Sequence, residues 1–231
     1  MAIPFRPIAC LLFRSLHPVP RVEFSAGAAS LHNLSPVDAN HRTLITVNHY
    51  SAIDFRAWWI VITISAIYPA NIHWVVTSGW ENSGWLTYLT HWLFPFGSKI
   101  LGFTPMPAMP PNPSEAEQRA QAVRSVLSYA SRTANPVIGL APEGGDSPGG
   151  ALGRLPSGVG RFIHLLTDYC PQVLPVGVWK DNGQIKLKFG EPYKLTVPLD
   201  IPAKERDRWV GDTVMHRIAE QLPPYLRGDY Q

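Results

Sequence analysis

The chain has 231 residues, a length that suits one domain with a sizeable hydrophobic core. Apolar residues make up 45% of it and charged residues only 16%, which is a globular composition on the apolar side. The formal net charge of +3, without any dense run of Lys or Arg, argues against a nucleic-acid-binding protein.

The N-terminal segment does not read as a secretory signal. Its apolar stretch, residues 8–13, is short and is followed at once by Arg14, His17 and several prolines. No run of about 18 apolar residues occurs in the chain, so no transmembrane helix is predicted. Cys10 and Cys170 fit no metal-ligand spacing and offer no disulfide framework, which favours a reducing, cytoplasmic compartment.

Strand-like and helix-like segments alternate along the rest of the chain. The strand-like runs are β-branched or apolar and lie at residues 44–47, 73–77, 137–141, 173–179 and 185–189. The helix-like runs lie at residues 55–68, 85–94, 114–133, 158–167 and 203–222. This alternation predicts an α/β fold with a central, mostly parallel sheet flanked by helices, in one domain over residues 1–231.

Three local signals mark the joints between these segments. Ser114 follows a run of prolines and precedes two acidic residues, so it is predicted to cap the next helix. The tripeptide at 181–183, Asp-Asn-Gly, predicts a hairpin turn. The proline-rich segment 104–113 predicts an irregular loop.

The stretch between Arg56 and Lys99 is poor in charge and rich in tryptophan. Glu81 is its only formally charged residue, and it holds six of the eight tryptophans, at positions 58, 59, 74, 80, 85 and 92. One interpretation is a large buried core. The other is a patch that rests in a membrane interface, where Trp and Tyr are favoured, and it predicts a cytoplasmic protein peripherally associated with the membrane.

His49 and Asp54 lie at the joint between the first of these strands and the following helix. The chain turns there, so the two side chains can meet even though a five-residue spacing would separate them on a regular helix or strand. A carboxylate bonded to one imidazole nitrogen leaves the other nitrogen free as a base, and no Ser or Cys nucleophile is well placed beside the pair. In the alternative interpretation, Ser51 and Asp54 form a helix-capping pattern and His49 is structural. Metal binding is not expected, because no second His or Cys stands at ligand spacing.

A second group of polar residues follows the strand-like run at 137–141. The segment Pro142-Glu143-Gly144-Gly145 reads plainly as a tight turn. If the strands are parallel, this turn carries Glu143 to the sheet edge that holds His49, and its glycines let a substrate approach the backbone closely.

The two groups together resemble a known family. Residues 48–54 resemble the N-H-x(4)-D motif of the glycerolipid acyltransferases, the lysophosphatidic-acid acyltransferase or PlsC-like family. Ala-Pro-Glu-Gly at 141–144 resembles that family's F-P-E-G motif, and 173–177 resembles its strand with a central proline. The order and separation of the motifs fit, and the resemblance covers residues 40–195.

The resemblance implies transfer of an acyl group from an acyl-CoA or acyl carrier protein thioester to a hydroxyl or amine of a lipid acceptor. His49 would be the general base, Asp54 would orient it, and Glu143 with Gly144 would help to hold the acceptor. No cofactor is implied beyond the thioester co-substrate, and the expected partners are the two substrates and a membrane surface. The substrate-binding residues expected on this basis are Asn48, Ser51, Pro142, Glu143, Gly144 and Arg154.

The chain also departs from the family's pattern. Ala108 and Asp146 stand where the family places arginines, and the nearest basic residues beyond the second motif are Arg154 and Arg161. The loss of a bidentate phosphate contact makes a simple phosphomonoester acceptor unexpected. Two alternatives stay open: a non-catalytic lipid-binding protein on the same fold, and an esterase that uses Ser147 of a Gly-Asp-Ser sequence.

Overall fold

The computed structural model of the chain describes residues 3–15, 19–25, 42–52, 55, 57–77, 97–98, 100–107, 112–145 and 148–231. Seven strands occur within these ranges: β1 (Arg21–Phe24), β2 (Thr43–Val47), β3 (His73–Thr77), β4 (Thr104–Met106), β5 (Val137–Leu140), β6 (Gln172–Asp181) and β7 (Gln184–Phe189). The principal helices are α1 (Phe5–Arg14), α2 (Trp58–Ile67), α3 (Ala116–Arg132), α4 (Val159–Thr167) and α5 (Arg206–Ala219).

The strands of the described residues form one sheet in the order β1-β7-β6-β2-β5-β3-β4. Neighbouring strands are parallel except for β6 and β7, which are antiparallel. The predicted α/β fold with a mostly parallel, helix-flanked sheet is therefore confirmed.

The centre of the sheet is buried on both faces. All residues of β2 and of β5 are buried, and so are residues 173–178 of β6. Strands that are covered on both sides have continuous apolar runs instead of an alternating pattern, which is why the sequence marks these three so clearly. A second, smaller apolar cluster joins Phe5 and Ala9 of α1 to Ile62 of α2.

Most of the predicted elements are present with small shifts at their ends. The five predicted strands correspond to β2, β3, β5, β6 and β7, and four of the predicted helices correspond to α2, α3, α4 and α5. The turn at 181–183 joins β6 to β7 as a two-residue hairpin, with Asn182 at φ 48° and Gly183 at φ 77°. The helix predicted at 85–94 lies outside the described residues.

Several sequence-based expectations were wrong or incomplete. The proline-rich segment was predicted to be irregular, but it begins with β4, a three-residue strand at the edge of the sheet that tolerates Pro105. The predicted elements did not include β1 or α1. Ser114 is not the cap: Asn112 accepts a hydrogen bond from the Ser114 backbone N–H, and a short 3-10 turn then leads into α3.

Candidate active site

The two sequence motifs leave the sheet at the same edge. Strands β2 and β5 are parallel neighbours, with Thr46 opposite Leu140. His49 and Glu143 each follow three residues after this pair, so they emerge side by side where the parallel strands end. In α/β sheets this edge is where ligands usually bind.

Glu143 joins the chain at His49 to a more distant loop. One carboxylate oxygen accepts a hydrogen bond from the His49 backbone N–H, with N and Oε2 2.6 Å apart. The other oxygen accepts from the Gly153 backbone N–H, with N and Oε1 2.9 Å apart. The Glu143 side chain is buried, with 7% of its surface exposed. A buried carboxylate is thereby satisfied by two N–H donors, as burial requires.

Asn48 fixes the same stretch of chain on its other side. Its side-chain Nδ2 donates to the Val178 carbonyl at 2.8 Å, and its Oδ1 accepts from the Val178 N–H at 2.7 Å. The amide thus continues the pairing of β2 with β6 one step beyond the last paired residues, Val47 and Val176. Asn48 is fully buried, so its observed role is to hold the backbone, and its predicted contact with substrate stays a prediction.

The turn that carries Glu143 closes as the sequence indicates. The Gly144 N–H donates to the Ala141 carbonyl at 3.1 Å, with Pro142 and Glu143 at the two central positions. Pro142 is buried beneath this turn. The fixed φ of proline suits the first central position of a turn, so Pro142 restricts the backbone that carries the Glu143 carboxylate.

The loop beyond this turn packs against the residues after His49. A Cβ atom at position 150 would lie 2.6 Å from the Tyr50 ring and 3.2 Å from the Ser51 carbonyl oxygen. Only glycine fits at this position without moving the ring. The 148–153 loop therefore lies directly against the segment that follows His49.

The capping alternative for Ser51 is not supported. Helix α2 begins at Trp58, its N-cap is Ala57, and no side chain caps it. Ser51 is seven positions before the start of α2 and half-buried, so it remains a candidate for contact with substrate. Asp54 lies outside the described residues, and its pairing with His49 stays a prediction. Ala108, Asp146 and Ser147 also lie outside the described residues.

Arg154 follows Gly153 directly and is largely exposed. Its Nε donates to Asp229 at 2.9 Å, and this hydrogen bond, with the charge of Asp229, raises the pKa of the guanidinium. An exposed ion pair of this kind contributes little to stability and opens easily. Arg154 therefore lies one residue from the hydrogen-bonded framework of the site and carries a positive charge that an anionic substrate group can compete for.

Sequence reasoning found His49 and Glu143 but missed two backbone partners. Neither the Gly153 N–H nor the Val178 peptide has a side-chain signature, so only the folded chain reveals them. A weak signal existed in the glycines at 149, 150 and 153, which indicate a loop that packs closely.

The described residues thus form an α/β protein whose candidate site lies at the carboxyl edge of parallel strands. Within them, no group of three or more His, Cys, Asp or Glu side chains is placed to hold a metal ion. In the same part of the chain, no helix is both long and apolar enough to cross a membrane. Comparisons with models of protein families and with curated proteins give no match.

Proposed function

We propose that the chain is an acyltransferase that moves a fatty acyl group from a thioester to a lipid acceptor. The donor is an acyl-CoA or an acylated acyl carrier protein, and the acceptor presents a hydroxyl or an amine. His49 is the general base and Asp54 orients its imidazole. The fold class agrees with this proposal, and the acyltransferase-like character of the fold is part of it.

The observation that carries the proposal is the pairing of the two motifs at one sheet edge. The His49 backbone N–H bonds to Glu143 although the two residues are 94 positions apart in the chain. A family whose site is made of these two motifs requires that neighbourhood, whereas two chance matches would share an edge of a parallel sheet but need not follow neighbouring strands or bond to each other.

In the proposed reaction His49 removes the proton from the acceptor hydroxyl as its oxygen attacks the thioester carbonyl carbon. The C–O bond forms, and the carbonyl becomes a tetrahedral oxyanion. The oxyanion then collapses, the C–S bond breaks, and the thiolate leaves with the proton that the imidazolium returns. The carboxylate of Asp54 stabilises the imidazolium between these two steps.

The acceptor is proposed to lack a phosphomonoester close to its reacting oxygen. Such a group carries close to two negative charges and usually needs Arg, Lys or backbone N–H donors. Asp146 would repel it, and Ala108 offers no charge. Arg154 lies next to Gly153, and a phosphate would have to displace Asp229 from it. A neutral or amine-bearing lipid suits this arrangement better, and such a lipid would be met at a membrane surface.

The test is release of thiol from an acyl-CoA in the presence of a panel of acceptors. The panel contains lysophosphatidic acid, an uncharged monoacylglycerol and a lyso-aminolipid. We expect His49→Ala to lower the rate by about 10²–10⁴-fold or more, and Asp54→Asn to lower it heavily too. His216→Ala, which removes an exposed imidazole from α5, is the matched control and should keep wild-type activity.

The outcomes separate the proposal from its two alternatives. Lipid binding without turnover, unchanged in His49→Ala, would indicate a non-catalytic lipid-binding protein. Thiol release without any acceptor, abolished by Ser147→Ala, would indicate an esterase. A higher kcat/KM for lysophosphatidic acid than for the other acceptors would leave the reaction in place and overturn the proposal about acceptor charge.

A further inference from the structure

We infer that Glu143 is a positioning residue, which holds the His49 backbone in place and acts on the reaction through His49. This inference rests on the proposed role of His49 as the general base. It differs from the family-based expectation, in which Glu143 helps to hold the acceptor.

The contacts of the carboxylate carry the inference. Oε2 accepts a hydrogen bond from the His49 backbone N–H at 2.6 Å, and Oε1 accepts one from the Gly153 backbone N–H at 2.9 Å. Both distances are those of charge-assisted hydrogen bonds, which are shorter and stronger than neutral ones. The side chain lies in the interior, so the two bonds are shielded from competing water.

Carboxylate chemistry suits this task in a way that an amide does not. An ionised Glu presents two acceptor oxygens, whereas Gln presents one oxygen and an NH₂ group that can only donate. Glu143→Gln would therefore leave one of the two N–H groups facing a donor. Aspartate keeps both acceptors on a shorter stem, so Glu143→Asp is expected to restore part of the arrangement.

The same contacts show why the His49 backbone is sensitive to Glu143. Asn48 is fixed to β6 through both atoms of its amide. The next peptide, at His49, is fixed toward β5 and the 148–153 loop through Glu143. The His49 imidazole is therefore attached to a backbone that hydrogen bonds hold in place on both sides. A general base must lie within hydrogen-bond reach of its proton, and a displacement of about 1 Å can cost about 10²-fold in rate.

Kinetics and NMR together test the inference on the full chain. The variants are Glu143→Gln, Glu143→Asp and Glu191→Gln, the last being an exposed glutamate that serves as the matched control. Each is assayed for kcat and for the KM of acyl-CoA and of the best acceptor. Each is also labelled with ¹⁵N-histidine, which reports a small set of amide signals because the chain has 8 histidines, and the His49→Ala spectrum identifies the signal of His49.

In wild type we expect the resonance of the His49 backbone amide proton to lie downfield, because its hydrogen bond to a carboxylate is short. Glu143→Gln should move that signal upfield and lower kcat by about 10²-fold, with little change in either KM. Glu143→Asp should recover part of both effects, and Glu191→Gln should change neither. If Glu143→Gln does not fold, Glu143→Asp alone must still show the coupled change in signal and kcat.

Two results would overturn the inference. A raised acceptor KM with unchanged kcat would mean that Glu143 contacts the acceptor. An unmoved His49 amide signal in Glu143→Gln would mean that the hydrogen bond does not hold the backbone. The NMR result does not depend on activity, so failure of the proposed acyl transfer is recognised separately, by wild-type turnover that His49→Ala leaves intact.

Discussion

Asn48 links the candidate site to the centre of the sheet. Its side chain satisfies both polar groups of the Val178 peptide inside a buried strand. Removing the amide in Asn48→Ala leaves a buried N–H and a buried C=O without their partner. Since each such group costs about 1–3 kcal/mol, we expect the free energy of unfolding to fall by about 2–6 kcal/mol.

Urea unfolding measures this loss, and Asn71→Ala provides the comparison. Asn71 is exposed and accepts one long bond, at 3.3 Å, from the Arg6 backbone N–H. Its replacement should cost less than about 1 kcal/mol. Equal losses in the two variants would show that the Asn48 pairing does not stabilise the fold.

His73 gives the fold a dependence on pH. It is buried in β3, its Nε2 is 2.8 Å from the Thr104 hydroxyl, and its ring stacks on Tyr129 with centroids 3.9 Å apart. Desolvation by burial lowers the pKa of His73 from 6.5 to about 4. At a pH between these two values, His73 is therefore protonated in the unfolded chain and neutral in the folded chain. Between pH about 6.5 and about 4 stability falls as pH falls, by on the order of 3 kcal/mol from this residue.

The measurement is the free energy of unfolding across that pH range in wild type and in His73→Gln. Wild type should lose stability more steeply than the variant, because carboxylates titrate in both and His73 in only one. A His73→Gln slope equal to that of wild type would contradict the assignment.

At the scale of elements, the buried and longer strands could be predicted from the sequence, whereas the short edge strands could not. Strands β2, β5 and β6 lie in the centre of the sheet, so their apolar runs mark them clearly in the sequence. Strands β1 and β4 lie at its two edges and have four and three residues, which is too short for a pattern to show. Helix α1 has Pro7 in its first turn, where proline is tolerated, but the same residue weakens any helical signal in a ten-residue segment.

Helix α1 also bears on the expected membrane contact. Of the tryptophans that suggested a membrane patch, Trp74 is buried, Trp58 is 44% exposed, and Trp80, Trp85 and Trp92 lie outside the described residues. On α1, by contrast, Ile8, Leu11 and Leu12 are exposed at helical spacing, and Leu11 is 70% exposed. The helix carries two arginines and no acidic residue. An apolar face with positive charge is the pattern that binds an anionic membrane surface.

We therefore expect flotation with phosphatidylglycerol-containing vesicles, which Leu11→Ser with Leu12→Ser should weaken by about tenfold or more. This factor is the free energy of burying the two leucine side chains in the membrane, converted into a change in binding affinity. Leu165→Ser with Leu199→Ser removes two exposed leucines from elsewhere and should float as wild type does. If Trp85→Ser with Trp92→Ser abolishes flotation and the α1 variant floats normally, the contact belongs to the tryptophan segment instead.

At the scale of the whole molecule, the sequence supports the fold class and the edge of the sheet that carries the site. Parallel strands place the residues following β2 and β5 at the same edge of the sheet, and the pairing of β2 with β5 then brings them together. The strand order could not be predicted from the sequence, because no local pattern indicates which strands are neighbours. The Gly153 bond to Glu143 was unpredictable for a related reason: the two residues are ten positions apart, the chain between them has many possible paths, and packing elsewhere selects one.

The C-terminal segment provides part of that packing. The Leu152 N–H donates to the Leu226 carbonyl at 2.9 Å, and Tyr230 is buried. Gly228 lies against the same loop so closely that a Cβ there would be 2.2 Å from the Leu152 carbonyl oxygen. Because Gly153 comes next and bonds Glu143, the end of the chain supports the loop that braces the site.

Replacement of Gly228 tests this long-range support. Gly228→Ala must accept a φ of +55° and push the Leu152 backbone away, whereas Gly183→Ala accepts a φ of +77° in the β6–β7 hairpin with nothing within 4 Å. The left-handed conformation alone costs about 1–2 kcal/mol. We expect that loss from Gly183→Ala in urea unfolding and a clearly larger one from Gly228→Ala. The His49 amide signal should shift only in Gly228→Ala, because only that glycine touches the loop leading to Glu143. Equal losses of stability and an unmoved His49 signal would mean that the end of the chain packs on the loop without supporting the site.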